Sequence, residues 1–210
     1  MKTKRFVQVQ LCALVMLTFG CSILAPVPDR SRFYVLAADP VAPSTASTSR
    51  NDLTIGVGPI RIPQYLERTG LATRVGETRV EYSSVDHWAE PLNECFPRVL
   101  SRDLGQDLGT VRVVLFPWNR SLHVNYQVEV IVDRFDIDSS NQAELLARWL
   151  IKDPSSSQIL ASGSSNQIRA AGADGASQTG ALSQALSGLS SELSKEVRRL
   201  QEQMLSRADA

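Results

Sequence analysis

The spacing of apolar residues along the chain predicts a sheet of several strands and two long helices. Strict alternation of apolar and polar residues is typical of a half-buried strand, because successive side chains point to opposite faces of a sheet. Alternation is strongest over residues 122–132, and a shorter run over residues 53–57 is expected to end at Gly58 and Pro59. Further strands are predicted at residues 33–36, 111–115, 143–152 and 158–170.

Two other stretches repeat their apolar residues at helical spacing. The first covers residues 92–108, with Pro91 suited to a first helical position and Gly109 to the residue that ends the helix. The second covers residues 182–204, whose steps of three and four residues do not sustain a heptad, so packing on a sheet is favoured over a coiled-coil seam. The predicted fold class is α+β, a single domain in which a largely antiparallel sheet packs with two main amphipathic helices. The stretches of small residues predicted as surface loops are residues 37–51 and 172–180.

The N-terminal segment, residues 1–20, is predicted to be a secretion signal. Three basic residues, Lys2, Lys4 and Arg5, precede an uncharged and largely apolar run over residues 6–20. This run is shorter than the roughly 20 apolar residues that a membrane-spanning helix needs, and it resembles the charged and apolar regions of a bacterial signal peptide. The alternative, a buried N-terminal helix, would require a polar face that the second half of the run lacks.

Cys21 is the predicted lipid attachment site of a bacterial lipoprotein. Gly20 supplies the small residue that a lipobox needs immediately before the cysteine, although Thr18 and Phe19 depart from the usual pattern. The alternative is that Cys21 merely follows a signal cut at another site. The next residue is Ser22, whereas Asp at that place usually retains bacterial lipoproteins in the inner membrane. The expected location is therefore the outer membrane, with the domain facing the periplasm.

The mature chain is expected to consist of a lipidated tether at residues 21–32 and a domain at residues 33–207. The sequence has 22 basic and 22 acidic residues, and the leader contains three of the basic ones. The rest of the chain is therefore mildly acidic, and it lacks the excess of basic residues that is typical of a nucleic-acid-binding protein. Since Cys12 leaves with the leader and Cys21 carries the lipid, Cys95 is expected to be a reduced, small core residue, and the fold must be stabilised without an internal disulfide.

Residues capable of catalysis or metal binding are few and scattered. The two histidines, His87 and His123, are far apart in the sequence, so a zinc site that combined them with Cys95 would depend on a tertiary coincidence. The glycine-containing stretches at residues 56–61 and 175–180 miss the spacing of a dinucleotide-binding fingerprint and of a nucleophile elbow. The sequence therefore predicts a protein that is not an enzyme, with no catalytic, cofactor-binding or metal-binding residues.

Aromatic residues near predicted turns are the strongest candidates for contact with a partner. Tyr65, Trp88 and Trp118 are predicted as such contacts, because Tyr and Trp are enriched at interaction hot spots. Packing in the core or at a turn is the alternative for each of them taken singly.

Several short motifs, in this order, resemble the PqiC/YmbA family of lipoproteins. They are residues 63–68 (PQYLER), 80–82 (VEY), 87–92 (HWAEPL), 99–100 (VL), 116–118 (FPW), 126–132 (YQVEVIV) with Phe135, and 147–149 (ARW). The resemblance extends from about Phe33 to the last predicted helix. The sequence departs from the family in its loops at residues 41–50 and 172–180 and in its imperfect lipobox.

The resemblance implies an auxiliary component of ABC-type transport systems that contain mammalian-cell-entry (MCE) proteins. Such a component is expected to be lipid-anchored in the outer membrane, to contact the MCE protein and the ABC transporter subunits, and to assist lipid transport that maintains envelope integrity. The alternatives are a free-standing periplasmic lipoprotein with a cavity for a lipid or other ligand, and a hydrolase with an unrecognised site. Homo-oligomerisation, the transported substrate and the contact residues are left open at this point.

Overall fold

The computed structural model describes residues 28–38, 53–119 and 121–208. The predicted signal, Cys21, most of the tether and most of the predicted loop at residues 37–51 therefore lie outside the described residues. From Ser31 onward the chain forms one compact unit.

The described residues form an eight-stranded mixed sheet with two long helices, which confirms the α+β prediction. A short 3₁₀ helix at Gln64–Glu67 connects the second and third strands. The strands are β1 (Arg32–Tyr34), β2 (Ile55–Arg61), β3 (Gly70–Val75), β4 (Arg79–Trp88), β5 (Val113–Leu115), β6 (Tyr126–Asp138), β7 (Gln142–Lys152) and β8 (Ile159–Ala170), and the helices are α1 (Leu92–Leu108) and α2 (Gly175–Ala208).

Strand β6 is shared by the two halves of the sheet. Along one edge it pairs with β7 over almost its whole length, and β7 in turn pairs with β8, both in antiparallel register. Along the other edge β6 pairs in parallel with β2 near its start and with β3 at its end. Strand β5 extends the sheet beyond β2, and β4 followed by β1 extends it beyond β3. The long pairings are thus antiparallel, and the parallel pairings are short.

Two strands continue past the points at which the sequence predicts that they end. Strand β2 runs through Gly58 and Pro59 to Arg61, because its register with β6 shifts between Val57 and Ile60 and the proline sits in that irregularity. The predicted end at Gly58 and Pro59 is therefore wrong. Strand β6 begins four residues later than predicted, at Tyr126, and ends later, at Asp138.

A bulge in β6 explains why simple alternation fails beyond residue 132. The register with β7 shifts between Val132 and Arg134, so one extra residue is inserted in β6. After the shift Phe135 and Ile137 are the buried apolar residues, whereas a continued alternation would have buried the even-numbered positions. The bulge thereby keeps the same face of β6 on the core along its full length.

Helix α2 starts inside the stretch that was predicted to be a loop at residues 172–180. Asp174 caps the helix, because the Ser177 backbone N–H donates to Asp174 Oδ1 over 3.0 Å and the Ser177 hydroxyl donates to Asp174 Oδ2 over 2.6 Å. The small residues let the helix approach the sheet closely. At Gly175, for example, a Cβ atom would lie 2.8 Å from the ring of Tyr34 on β1.

The core lies between one face of the sheet and the two helices. Helix α1 begins after Pro91 and ends at Gly109, which adopts a left-handed conformation, so both predicted ends are confirmed. Its Phe96 ring meets Phe135 of β6 edge to face, with the ring centroids 5.3 Å apart. The apolar stripe of α2 packs against the sheet of the same chain, as predicted. Its fully buried members are Ala185, Leu186, Leu189, Leu193 and Val197.

Replacing Leu189 or Leu193 by Ala should lower the stability of the isolated, unlipidated domain by about 2 to 5 kcal/mol, because each substitution leaves a cavity between α2 and the sheet. Leu205→Ala is the matched control, since Leu205 lies on the same helix but is 67% exposed. Thermal unfolding at low concentration should show a lowered midpoint for the first two variants only. A normal midpoint combined with loss of self-association would show that the stripe forms a subunit contact instead.

Candidate functional site

The three aromatic residues predicted as partner contacts lie in three different environments. Trp88, at the end of β4, is 6% exposed, and its ring stacks on Phe135 with a centroid separation of 6.5 Å. Its indole therefore belongs to the core between the sheet and α1, and the described surface does not offer it to a partner. Alternation along β4 does not reveal this, because the ring's neighbours come from distant parts of the sequence.

Tyr65 anchors the 3₁₀ helix to the sheet. Its hydroxyl donates a hydrogen bond of 2.7 Å to Asp136 Oδ2, and Arg74 forms an ion pair of 2.5 Å with the same oxygen. Asp136 is 1% exposed and the Arg74 side chain 13% exposed, so the ion pair is buried. Burial, followed by the hydrogen bond to Asp136, raises the pKa of Tyr65, so the phenol remains a proton donor at neutral pH. Tyr65 is half-buried in this network, and its hydroxyl is already engaged.

Trp118 lies at the surface, beside strand β2. Its ring crosses β2 at Gly56, where a Cβ atom would come within 2.5 Å of the indole Cη2 atom. Glycine at this position therefore allows the ring to lie flat against the strand. The Phe116 ring meets Trp118 edge to face at 5.6 Å and is itself 52% exposed. This aromatic pair is therefore partly open to solvent.

One wall of a surface cleft of about 610 Å³ is formed by Trp118. The apolar and aromatic residues that define this feature, called here the Trp118 cleft, are Trp118, Leu122, Val124, Tyr126, Leu160 and Met204. The Tyr126 hydroxyl donates to Met204 Sδ over 3.2 Å and so connects the start of β6 with the last turns of α2. Since Leu122 is 41% exposed and Met204 is 61% exposed, part of the apolar lining faces solvent.

The rim of the Trp118 cleft is polar. Its members are Ser121, His123, Asn125, Asp153 and Ser155. The Ser155 hydroxyl and backbone N–H and the Ser156 hydroxyl all donate to the Asp153 carboxylate, and they lower its pKa to about 2. Asp153 is therefore negatively charged throughout the physiological pH range. An apolar floor with a polar rim is the composition of a binding surface.

The residues considered for chemistry in the sequence are spread over the fold. His123 is exposed on the rim of the cleft, whereas His87 lies on β4, where its Nε2 atom is 3.3 Å from the Ser84 carbonyl oxygen. Cys95 is a buried residue of α1, as predicted, and burial raises its pKa to about 11, so its thiol is neutral. Within the described ranges, no three His, Cys, Asp or Glu side chains are grouped closely enough to hold a metal ion.

The sequence identifies Trp118 but not the rest of the cleft. Leu122 is predicted to be part of a strand and Met204 part of a buried helical stripe, yet both lie just beyond the ends of those buried runs. The available signal is that Leu122 extends the alternation to before the start of β6, and that Met204 extends the helical spacing beyond Leu200, the last buried residue of α2. In the part of the chain that the structure describes, no helix is both long and apolar enough to cross a membrane.

Comparison with known proteins places the chain among transport lipoproteins. Residues 34–194 match the model of a family described as "ABC-type transport auxiliary lipoprotein component". A crystal structure of a Xanthomonas campestris protein of the DUF330 family has a TM-score of 0.68 and 18% sequence identity, covering 83% of this chain and 99% of that one. A crystal structure of an uncharacterized protein has a TM-score of 0.65 and 17% identity, covering 80% and 98%. These identities establish a shared fold alone. No curated protein matches the chain.

The network around Asp136 predicts an order of stability losses. Arg74→Met should cost about 3 to 5 kcal/mol, because it leaves a buried carboxylate without its counter-ion. Tyr65→Phe should cost about 1.5 to 3 kcal/mol, since it removes one hydrogen bond to that carboxylate. Arg79→Met, which breaks an exposed ion pair with Glu81, is the control and should leave the urea midpoint nearly unchanged. Equal effects of Arg74→Met and Arg79→Met would contradict the account.

Proposed function

The chain belongs to the family of ABC-type transport auxiliary lipoproteins, and on this basis we propose that it is a noncatalytic subunit of an MCE-containing lipid transport system, anchored in the outer membrane and facing the periplasm. The observation that carries the proposal is the family match over residues 34–194, which follows closely on a lipobox-like segment ending at Cys21. In this system the protein would assist the movement of lipid between membranes and so maintain envelope integrity.

The proposed anchor is a set of acyl chains on Cys21. Each buried methylene contributes about 0.8 kcal/mol, so one chain binds a membrane only marginally while several chains on one cysteine hold it durably. The absence of Asp at position 22, where the chain has Ser22, supports sorting to the outer membrane. The tether at residues 21–32 would then join the lipid to the domain.

A noncatalytic role is supported by the way the fold uses its reactive side chains. The Cys95 thiol is buried and neutral, and the charge of Asp136 is paired with Arg74 and hydrogen-bonded by Tyr65 in a structural network. Of the three aromatic residues predicted as partner contacts, Trp118 is the one that we propose to meet the MCE protein or the ABC transporter subunits. Tyr65 and Trp88 would act by holding the fold.

The second candidate function is a free-standing periplasmic lipoprotein that binds a lipid or another ligand. The Trp118 cleft favours it, because about 610 Å³ is within the size range of small-molecule sites. Against it, the layer between the sheet and the helices is filled by large, fully buried side chains. These include Phe96, Leu100, Phe135, Leu145, Leu186 and Leu189.

Replacing Cys21 by Ser should leave the domain folded and release it into the soluble periplasmic fraction, because the core is independent of the acyl chains. Ser22→Asp is the companion variant and should move the protein from outer-membrane to inner-membrane fractions on a density gradient. Ser22→Thr is the matched control and should stay in the outer membrane. Membrane association of Cys21→Ser without acylation would overturn the proposed anchor.

Isolation of the tagged, lipidated protein from detergent-solubilised membranes should yield MCE-domain and ABC transporter subunits, identified by mass spectrometry. Cys21→Ser, expressed at the same level, should yield much less of them, since it lacks the membrane location. Recovery of a bound lipid without any transporter subunit would favour the second candidate function instead.

A further inference from the structure

Strand β1 turns an apolar side toward solvent. Phe33 is 66% exposed, and Val35, immediately after the strand, is 55% exposed. The alternate residues, Tyr34 and Leu36, pack on the core, because successive side chains of an extended chain point to opposite faces. The His87 ring of β4 lies beside Phe33, with the two ring centroids 5.7 Å apart. Phe33, Val35 and His87 are together called here the β1 patch.

The β1 patch is held in place from the inner side of the sheet. Arg32 Nε forms an ion pair of 2.8 Å with Asp86 Oδ1 on β4, and the Tyr34 hydroxyl donates to the same oxygen over 3.1 Å. Beyond the strand, the Ala37 backbone N–H donates to the Ser183 hydroxyl of α2 over 3.2 Å. Contacts before and after the exposed side chains therefore fix them to the domain, and their exposure is a property of the fold.

The β1 patch is too small to hold a freely diffusing protein by itself. A whole aromatic side chain buries about 150 to 250 Å², so the exposed parts of Phe33 and Val35 amount to roughly 200 Å² of apolar surface. A stable interface between two proteins needs about 800 Å² on each partner. The patch is therefore sufficient only for an occupant that another attachment already holds nearby.

The proposed lipid anchor is such an attachment, and it holds a membrane near the patch. Phe33 follows Cys21 by twelve residues, and a fully extended chain of that length spans at most about 43 Å. A short linker makes the second contact an intramolecular step with a high effective concentration. A weak affinity of the patch for lipid is then enough to keep it on the membrane.

The composition of the β1 patch suits the surface layer of a bilayer. Aromatic and aliphatic side chains of membrane-surface elements enter about 5 to 10 Å into the boundary between head groups and acyl chains. The carboxylate beneath the patch, Asp86, is paired with Arg32. Because this pair adds no net charge, it does not repel the anionic head groups of a bacterial membrane.

We propose that the β1 patch inserts into the interfacial layer of the membrane that carries the lipid anchor. Phe33 and Val35 enter between the head groups, and the β1 edge of the sheet rests on the bilayer. The domain then has a fixed orientation on the membrane instead of turning freely about its tether. The inference deepens the proposed function and rests on it, because the acyl chains on Cys21 bring the membrane within reach.

Fluorescence quenching by lipids, in the full-length lipidated protein, tests the insertion. The protein is reconstituted into liposomes of phosphatidylethanolamine and phosphatidylglycerol, with and without lipids that carry a quencher near the head group. An engineered thiol is the accessible one, because Cys12 leaves with the leader, Cys21 is acylated and Cys95 is fully buried.

Phe33→Cys and Val35→Cys, each carrying an environment-sensitive dye, should show blue-shifted emission and strong quenching by the labelled lipids. Ile168→Cys is the matched control, since Ile168 is 48% exposed and lies on β8, at the far edge of the sheet from β1. The same dye at position 168 should keep the emission it has in water.

A second substitution distinguishes insertion by the protein from insertion driven by the dye. Adding Phe33→Ser to the labelled Val35→Cys protein should lower the ratio of inserted to free label at least tenfold, because roughly 100 Å² of apolar surface no longer leaves water. Phe33→Trp should retain the quenching, and Ile168→Ser should leave it unchanged. All variants should keep the wild-type melting temperature, since the changed residues are exposed.

The outcomes separate this inference from the proposed function. If mass spectrometry finds Cys21 without acyl chains, the proposed anchor fails and the inference fails with it. If Cys21 is acylated but the labels at positions 33 and 35 are quenched no more than the label at position 168, the inference is wrong and the proposed function stands. Shielding that rises with the ratio of protein to lipid and is insensitive to the quencher would show that a second copy covers the patch, which also overturns the inference.

Discussion

Strand β6 pairs with β2 and β3 along one edge and with β7 along the other, and the rest of the structure depends on this pairing. Its N-terminal half pairs with β2, its end pairs with β3, and its other edge pairs with β7, so both halves of the sheet converge on one strand. The bulge between Val132 and Arg134 keeps the apolar side of β6 on the core while it changes partners. The same bulge precedes Asp136, whose buried carboxylate holds Tyr65 and Arg74 and thereby fixes the 3₁₀ helix against the sheet.

Local signals in the sequence predict some elements accurately. Both ends of α1 follow from Pro91 and Gly109, because a proline is tolerated before the first turn and a glycine adopts the left-handed conformation that ends a helix. Alternation over residues 143–152 likewise predicts β7 to within one residue of its start. In each case the determining interactions lie within the element or on one buried face of it, so the sequence pattern contains the required information.

The remaining features depend on contacts between distant residues. The small residues at the start of α2 are typical of a loop, yet Gly175 serves close packing on Tyr34 of β1, which the sequence alone does not reveal. The parallel pairing of β2 with β6 and the bulges in both strands depend on partners that alternation does not identify. The same holds for the candidate site. Trp118 stands out as an aromatic residue, but Leu122 and Met204 join it only because the start of β6 meets the end of α2.

Helix α2 connects strand β1 with the Trp118 cleft. Its N-terminal end packs on the strand where the tether enters, and its C-terminal turns form one wall of the Trp118 cleft. Since the helix is buried against β6, β7 and β8 from Ala181 to Leu200, strand β1 and the Trp118 cleft are held at a fixed separation.

The central claim, that both halves of the sheet depend on strand β6, can be tested by native-state hydrogen exchange of the domain. The account predicts that the backbone amides of β6, and those of β2, β3 and β7 that pair with it, exchange only through global unfolding and so share one opening free energy. Exchange of the β2 and β3 amides through a local opening that leaves β6 and β7 protected would contradict it.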